Sequence, residues 1–219
     1  MDRDRSASSP KTKIGIMGGT FNPIHYGHLV TAEEALYQFQ LDTVIFMPTG
    51  RPPHKSRKDL ASAEDRYLMT VIATASNSRF TVSRMEVDRK STTYSIDTLK
   101  ELRRIYGEEV DLFFITGADA IFDILTWKDP ETAVKLCKFI AATRPGYDLK
   151  KIESLREMLM GKKEVDPKNN IIYDMEIPAL AISSTDIRRR VREGRAITYL
   201  LPDGVMNYIY KMGLYKNSS

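Results

Sequence analysis

Apolar positions along the chain follow two rhythms. Short runs, mostly apolar through their centres, at residues 13–17, 43–47, 111–116, 138–143 and 170–175 predict β-strands. Strands of that kind are buried on both faces, and with longer helical patterns between them they predict a parallel sheet joined by crossovers. The expected fold class is α/β: a Rossmann-like, doubly wound parallel sheet with a small helical region at the C-terminus. A first helix is predicted over residues 25–39, with Leu29, Ala32, Leu36 and Phe39 on its inner face. A second is predicted over 63–76, packing through Tyr67, Val71 and Ala75, and a third over 95–106, packing through Leu99 and Leu102. The polar, proline-containing stretch 50–58 reads as a loop. In such sheets ligands bind beyond the carboxyl ends of the strands. The segments beginning near residues 18, 48, 117, 144 and 176 should therefore share one face.

Composition narrows the picture without changing it. A chain of 219 residues with 42% hydrophobic and 28% charged residues is expected to form one domain, over residues 12–215, with polar tails at 1–11 and 216–219. The 33 Lys and Arg exceed the 29 Asp and Glu only slightly, which suits small anionic partners and gives no reason to expect nucleic acid. Cys137 is the only cysteine and reads as a core residue, which fits a reducing compartment. No apolar run reaches the length of a membrane span and no leader pattern follows the first charges, so no membrane partner and a cytoplasmic location are expected. Oligomeric state is left open, a homo-oligomer included.

The densest chemical signal lies between the first strand and the first helix, in Gly18-Gly19-Thr20-Phe21-Asn22-Pro23-Ile24-His25-Tyr26-Gly27-His28. Glycines allow close approach of a phosphate to backbone N–H groups, and a helix N-terminus adds a partial positive charge. His25 and His28, two of three histidines in the chain, are spaced to touch one polyphosphate. A glycine turn with core histidines is the plainer alternative. A zinc pair lacks a third ligand at a familiar spacing, so no protein-bound metal is expected. Far downstream, Ile182-Ser183-Ser184-Thr185-Asp186-Ile187-Arg188 predicts a capped helix, with Ser184 or Thr185 as the cap, Ile187 and Val191 inward, and Arg188 free to offer a forked guanidinium to phosphate oxygens. Arg189, Arg190, Arg192 and Arg195 read as a solvated basic face.

With Thr20, His25, Gly27 and His28 in place, the first segment resembles the histidine signature of the nucleotidyltransferase superfamily. The second resembles the serine-serine-threonine and arginine motif of its adenylyl-transferring members. Pro52-Pro53-His54-Lys55, Thr93-Tyr94-Ser95, Gly117-Ala118-Asp119, Trp127 and Arg144-Pro145-Gly146 extend the likeness, over about residues 13–215, to the bacterial nicotinate mononucleotide adenylyltransferases. Asn22 departs from the Asp that many members carry, a change that a turn accommodates.

The resemblance implies ATP and nicotinate mononucleotide as partners, with Mg²⁺ carried on ATP. It implies His25, His28 and Arg188 as catalytic, and Gly18, Gly19, Thr20, Phe21, Gly117, Asp119, Ser183, Ser184 and Thr185 beside them around ATP. Thr93 and Tyr94 would receive the pyridine carboxylate, Trp127 would stack on the ring, Arg144 would meet the mononucleotide phosphate, and Lys55 would close from the 50–58 loop. Two rivals stay open: the same scaffold acting on another phosphate acceptor, and a non-catalytic nucleotide- or RNA-binding module using the Arg188–Arg195 run.

Overall fold

The computed structural model describes residues 11–52, 60–126, 129–160, 171–178 and 180–216. Of the residues singled out in the sequence, Pro53, His54, Lys55 and Trp127 lie outside these, as do most of the expected tails. Six strands form one sheet: β1 (Thr12–Gly19), β2 (Thr43–Pro48), β3 (Phe80–Val82), β4 (Val110–Gly117), β5 (Lys138–Thr143) and β6 (Ile172–Glu176). Every neighbouring pair is parallel and the order is β3-β2-β1-β4-β5-β6. The α/β, doubly wound expectation holds. The sequence reading missed only β3 among the described strands, because three residues are too short to show a period.

Alternation along the strands divides the core in two. Met17, Val44, Phe46, Phe113, Ile115, Ile140 and Met175 face one side, where α1 (Tyr26–Phe39), α2 (Ala63–Thr74), α6 (Ser184–Arg192) and α7 (Asp203–Lys211) cover them. Ile14, Ile16, Ile45, Met47, Leu112, Phe114 and Phe139 face the other, under α3 (Ser95–Tyr106), α4 (Pro130–Leu136) and α5 (Lys150–Met160). Cys137 is buried on this second side, as expected. Covering both faces is what makes these strands apolar through their centres rather than alternating. Among the described residues no helix is long and apolar enough to cross a membrane.

Two helices differ from expectation. α1 begins at Tyr26, with His25 as its extended N-cap residue, so the first histidine precedes the helix. α2 is rotated relative to the predicted stripe: Val71 and Ala75 are exposed and Tyr67 is half-buried, whereas Arg66, Met69, Thr70, Ala73 and Thr74 face the core. A fully buried arginine breaks the apolar period and misdirects the reading. α3 packs through Leu99 and Leu102 as expected.

Candidate active site

Strand order reverses between β1 and β4, whose chains leave on opposite sides of the sheet, and a crevice opens at their carboxyl ends. Two cavities occupy it. The first, about 360 Å³, is lined by Gly18, His25, His28, Thr31, Gly117, Asp119 and Arg144 among others. The second, about 340 Å³, is lined by Gly18, Gly19, Thr20, Thr49, Glu86, Thr93, Ser95, Thr98 and Asp123 among others. Gly18, Thr116 and Ala120 belong to both walls, so the cavities adjoin across the end of β1.

The glycines are explained by rings as much as by any ligand. A Cβ on Gly18 would stand 2.9 Å from Phe114 Cζ, and one on Gly19 would stand 2.8 Å from Phe21 Cε1. Phe21 is itself 2% exposed and lines neither cavity; it is a packing residue, edge-on to His28 with ring centroids 5.1 Å apart. Gly27 has a separate reason. Its missing Cβ leaves room for the His25 ring, whose Cε1 and Nδ1 would both lie 3.0 Å from it.

The two imidazoles stack, with centroids 3.8 Å apart. The His25 backbone N–H donates to His28 Nδ1 at 3.2 Å, which leaves Nε2 to carry the proton of a neutral His28 ring. His25 is 7% exposed, and desolvation lowers its pKa from 6.5 to about 4. At neutral pH it is therefore an uncharged hydrogen-bonding group rather than a counter-charge for phosphate. Its Nδ1 is buried without a hydrogen-bond partner in the structure, an atom that a bound ligand or water would be expected to satisfy.

The second motif is laid against the first. Ser183, not Ser184 or Thr185, caps α6 by accepting from the Asp186 N–H. Ser184 Oγ donates to the Pro23 carbonyl at 2.8 Å, and Arg188 donates to the Asn22 carbonyl at 2.8 Å and to Thr185 Oγ1 at 3.4 Å. Asn22 and Pro23 are joined by a cis peptide bond. Asn22 Oδ1 in turn accepts from the Tyr215 hydroxyl and the Ala61 N–H, so the motif loop is held from three sides. Arg188 Nε is buried without a partner. Neither Ser183, Ser184, Thr185 nor Arg188 lines either cavity. Of the other basic residues in this run, Arg189 and Arg190 pair with Asp186 on α6, and Arg195, just beyond the helix, pairs with Glu193. Local pairing cancels much of the charge that an RNA-contacting reading needs.

At the start of α3, Thr93 is buried and exchanges hydrogen bonds with the backbone of Arg51, and Tyr94 caps the helix with its extended backbone. Thr93 and Ser95 line the second cavity, so the positive end of α3 opens onto it. Arg144 lies on the first cavity and not on the second, with Gly117 beside it, where a Cβ would meet open space. Sequence reasoning missed Thr31, Glu86, Thr98 and Asp123 as wall residues. It also missed Arg66, which donates to the carbonyls of Ala61, Thr20, Thr49 and Gly50 from a position without solvent exposure.

Residues 16–190 match the cytidylyltransferase-like family. The chain is 56% identical over 204 residues to a probable nicotinate-nucleotide adenylyltransferase of Moorella thermoacetica, covering 93% of this chain and 92% of that one. It is 53% identical to the protein of the same name in Thermoanaerobacter sp., over 93% of this chain and 94% of the other. In fold it is similar to Plasmodium falciparum nicotinic acid mononucleotide adenylyltransferase complexed with NaAD, with a TM-score of 0.73 at 22% identity, covering 93% of this chain and 97% of that one. Identical at more than half of the aligned positions to relatives matched over nearly their whole length, the chain belongs to the nicotinate-nucleotide adenylyltransferases of the cytidylyltransferase-like family.

Proposed function

We propose that this chain is a cytoplasmic enzyme of NAD biosynthesis. It transfers the adenylyl group of ATP to nicotinate mononucleotide, giving nicotinate adenine dinucleotide and pyrophosphate. The observation that carries the reading is the shared wall: one cavity beside the stacked imidazoles adjoins a second beneath the start of α3, and both include Gly18 and Thr116. ATP occupies the first and the mononucleotide the second. A phosphate oxygen of the mononucleotide attacks the α-phosphorus, a new P–O bond forms, and the bond to the β-phosphate bridging oxygen breaks. Pyrophosphate leaves with that electron pair.

The second pKa of a phosphate monoester lies near ~6, so the attacking oxygen is already ionised at neutral pH and requires no strong base. Catalysis then rests on orientation and on stabilising charge as it moves toward pyrophosphate. His28 donates through Nε2, His25 acts as a neutral partner, and Arg188 supplies the fixed positive charge behind them. Of these, Arg188 is the residue whose role requires a shift. Its guanidinium is bonded to Asn22 and Thr185, with Nε in reserve, so it either reaches phosphate from there or holds the loop that does. Thr93 and the Tyr94 backbone receive the pyridine carboxylate near the α3 N-terminus; the roles expected of Trp127 and Lys55 fall outside the described residues.

Mg²⁺ travels on the nucleotide. Asp119 is the carboxylate among the described residues lining the first cavity, an oxygen donor suited to a hard cation that keeps most of its waters. When bound, the ion would supply charge neutralisation to the phosphates.

The test is pyrophosphate release with ATP and a panel of phosphate acceptors, wild type against His28→Ala. Nicotinate mononucleotide is expected to be the preferred acceptor, and His28→Ala to lower turnover by about 10²–10³-fold while the circular dichroism spectrum is retained. Full activity in the variant, or preference for an unrelated acceptor, would overturn the assignment.

A further inference from the structure

Glu86 stands in the loop between β3 and α3, on the wall of the second cavity, and is 6% exposed. A carboxylate so placed usually has a cation beside it. Here the cations are committed elsewhere. Arg66 faces Glu86 from α2 but gives its guanidinium to four backbone carbonyls. Arg89 faces it from the same loop and donates to Thr98 Oγ1 at 3.2 Å rather than to the carboxyl. What Glu86 holds directly is a hydroxyl: Thr98 Oγ1 donates to Oε1 at 2.7 Å. The Thr49 side chain also hydrogen-bonds the carboxyl, and Asp123 contributes a second acidic group to the same wall from the 3-10 helix Ala120–Thr126. Burial outweighs the two cations and raises the Glu86 pKa from 4.5 to about 7.

Resting on the reading of the second cavity as the acceptor site, we propose that Glu86 is a proton-coupled specificity residue: an acceptor bearing a carboxylate binds with uptake of one proton on Glu86, and its carboxamide analogue binds without it. Two carboxylates sharing a cavity of about 340 Å³ repel, and the cheaper arrangement is to protonate the buried one. The protonated carboxyl then adds a donor facing the ligand anion. An uncharged amide produces no such repulsion and leaves Glu86 free to ionise and accept from its NH₂. Glu86 therefore favours the acid form of the acceptor at lower pH and the amide form as pH rises.

The experiment is calorimetric titration of nicotinate mononucleotide and nicotinamide mononucleotide into wild type and Glu86→Gln between pH 6 and pH 9. Both ligands carry the same phosphate, so its ionisation cancels in the ratio of their dissociation constants, as do His25 and the rest of the site. In wild type that ratio, acid over amide, is expected to be flat below pH 7 and to rise above it by up to about tenfold per pH unit. In Glu86→Gln, which keeps an acceptor for Thr98 and cannot ionise, it is expected to be flat throughout. Independently of any variant, wild type titrated near pH 7.5 in buffers of different ionisation enthalpy should take up more protons with the acid than with the amide, by up to ~1. A flat wild-type ratio, an unchanged slope in Glu86→Gln, or equal proton uptake overturns the assignment of Glu86 while leaving the adenylyl transfer intact. Failure of both mononucleotides to bind overturns the two together.

Discussion

A histidine only 7% exposed holds a proton less readily than one in water, and for His25 the displacement from 6.5 to about 4 is large enough to measure. The folded chain disfavours the protonated ring, whereas the unfolded chain binds the proton freely below its ordinary value. His25 therefore contributes stability that is fully present above pH 6.5 and is lost as pH falls toward 4, on the order of 3 kcal/mol in all. Asn is a good N-cap residue and does not titrate. Between pH 7 and pH 4.5, wild type is thus expected to lose about 2 kcal/mol more of its urea-unfolding free energy than His25→Asn. Parallel losses would mean that the fold leaves the His25 pKa at its ordinary value, so that burial does not disfavour the charged ring.

At the scale of the element, the first turn of α1 trades helix propensity for ring placement. Alanine favours a helix interior over glycine by up to ~1 kcal/mol. A methyl on Gly27, however, would stand 3.0 Å from two atoms of the His25 ring, tighter than such contacts normally are. Gly27→Ala is expected to leave the melting temperature nearly unchanged and to lower turnover by about 10²-fold, because it displaces a ring proposed to meet phosphate. A variant with wild-type turnover would show that the ring has room to move. The same turn shows what a sequence can and cannot convey. Glycine and histidine spacing revealed the junction, and the short apolar runs revealed five of the strands. That His25 caps the helix and loses its charge depends on burial, which spacing does not encode. In α2 the failure has another origin: Arg66 sits where the period needs an apolar residue, so the eye settles on Tyr67, Val71 and Ala75 one position around the helix. Glu86 gave no such signal: it sits among Arg84, Asp88 and Arg89 in a charged loop, and only the fold shows that it is buried.

Across the whole molecule, the crevice is assembled by contacts far apart in sequence. Tyr215 donates to Asn22, Tyr208 donates to Asp65, and Arg188 donates to the Asn22 carbonyl, so the C-terminal helices brace the loop after β1 and the start of α2. Arg66 is the junction of this arrangement. Its guanidinium joins Thr20 of the motif loop, Thr49 and Gly50 after β2, and Ala61 before α2, at distances from 2.6 to 3.1 Å. Two of those residues, Thr20 and Thr49, line the second cavity and neither lines the first. Removing the guanidinium leaves four carbonyls with a lost partner in a site that water cannot readily enter. Arg66→Met, which preserves the apolar stem, is expected to destabilise the fold by at least about 3 kcal/mol. Arg66→Lys keeps the charge but offers a point donor in place of a planar fork, so it should recover only part of that loss. In whichever variant remains folded at low temperature, KM for the mononucleotide should rise more than KM for ATP, because the clamp shapes the wall of the cavity proposed to take the acceptor. Unfolding midpoints equal to wild type, or equal rises in the two KM values, would show that these loops hold their positions without the clamp.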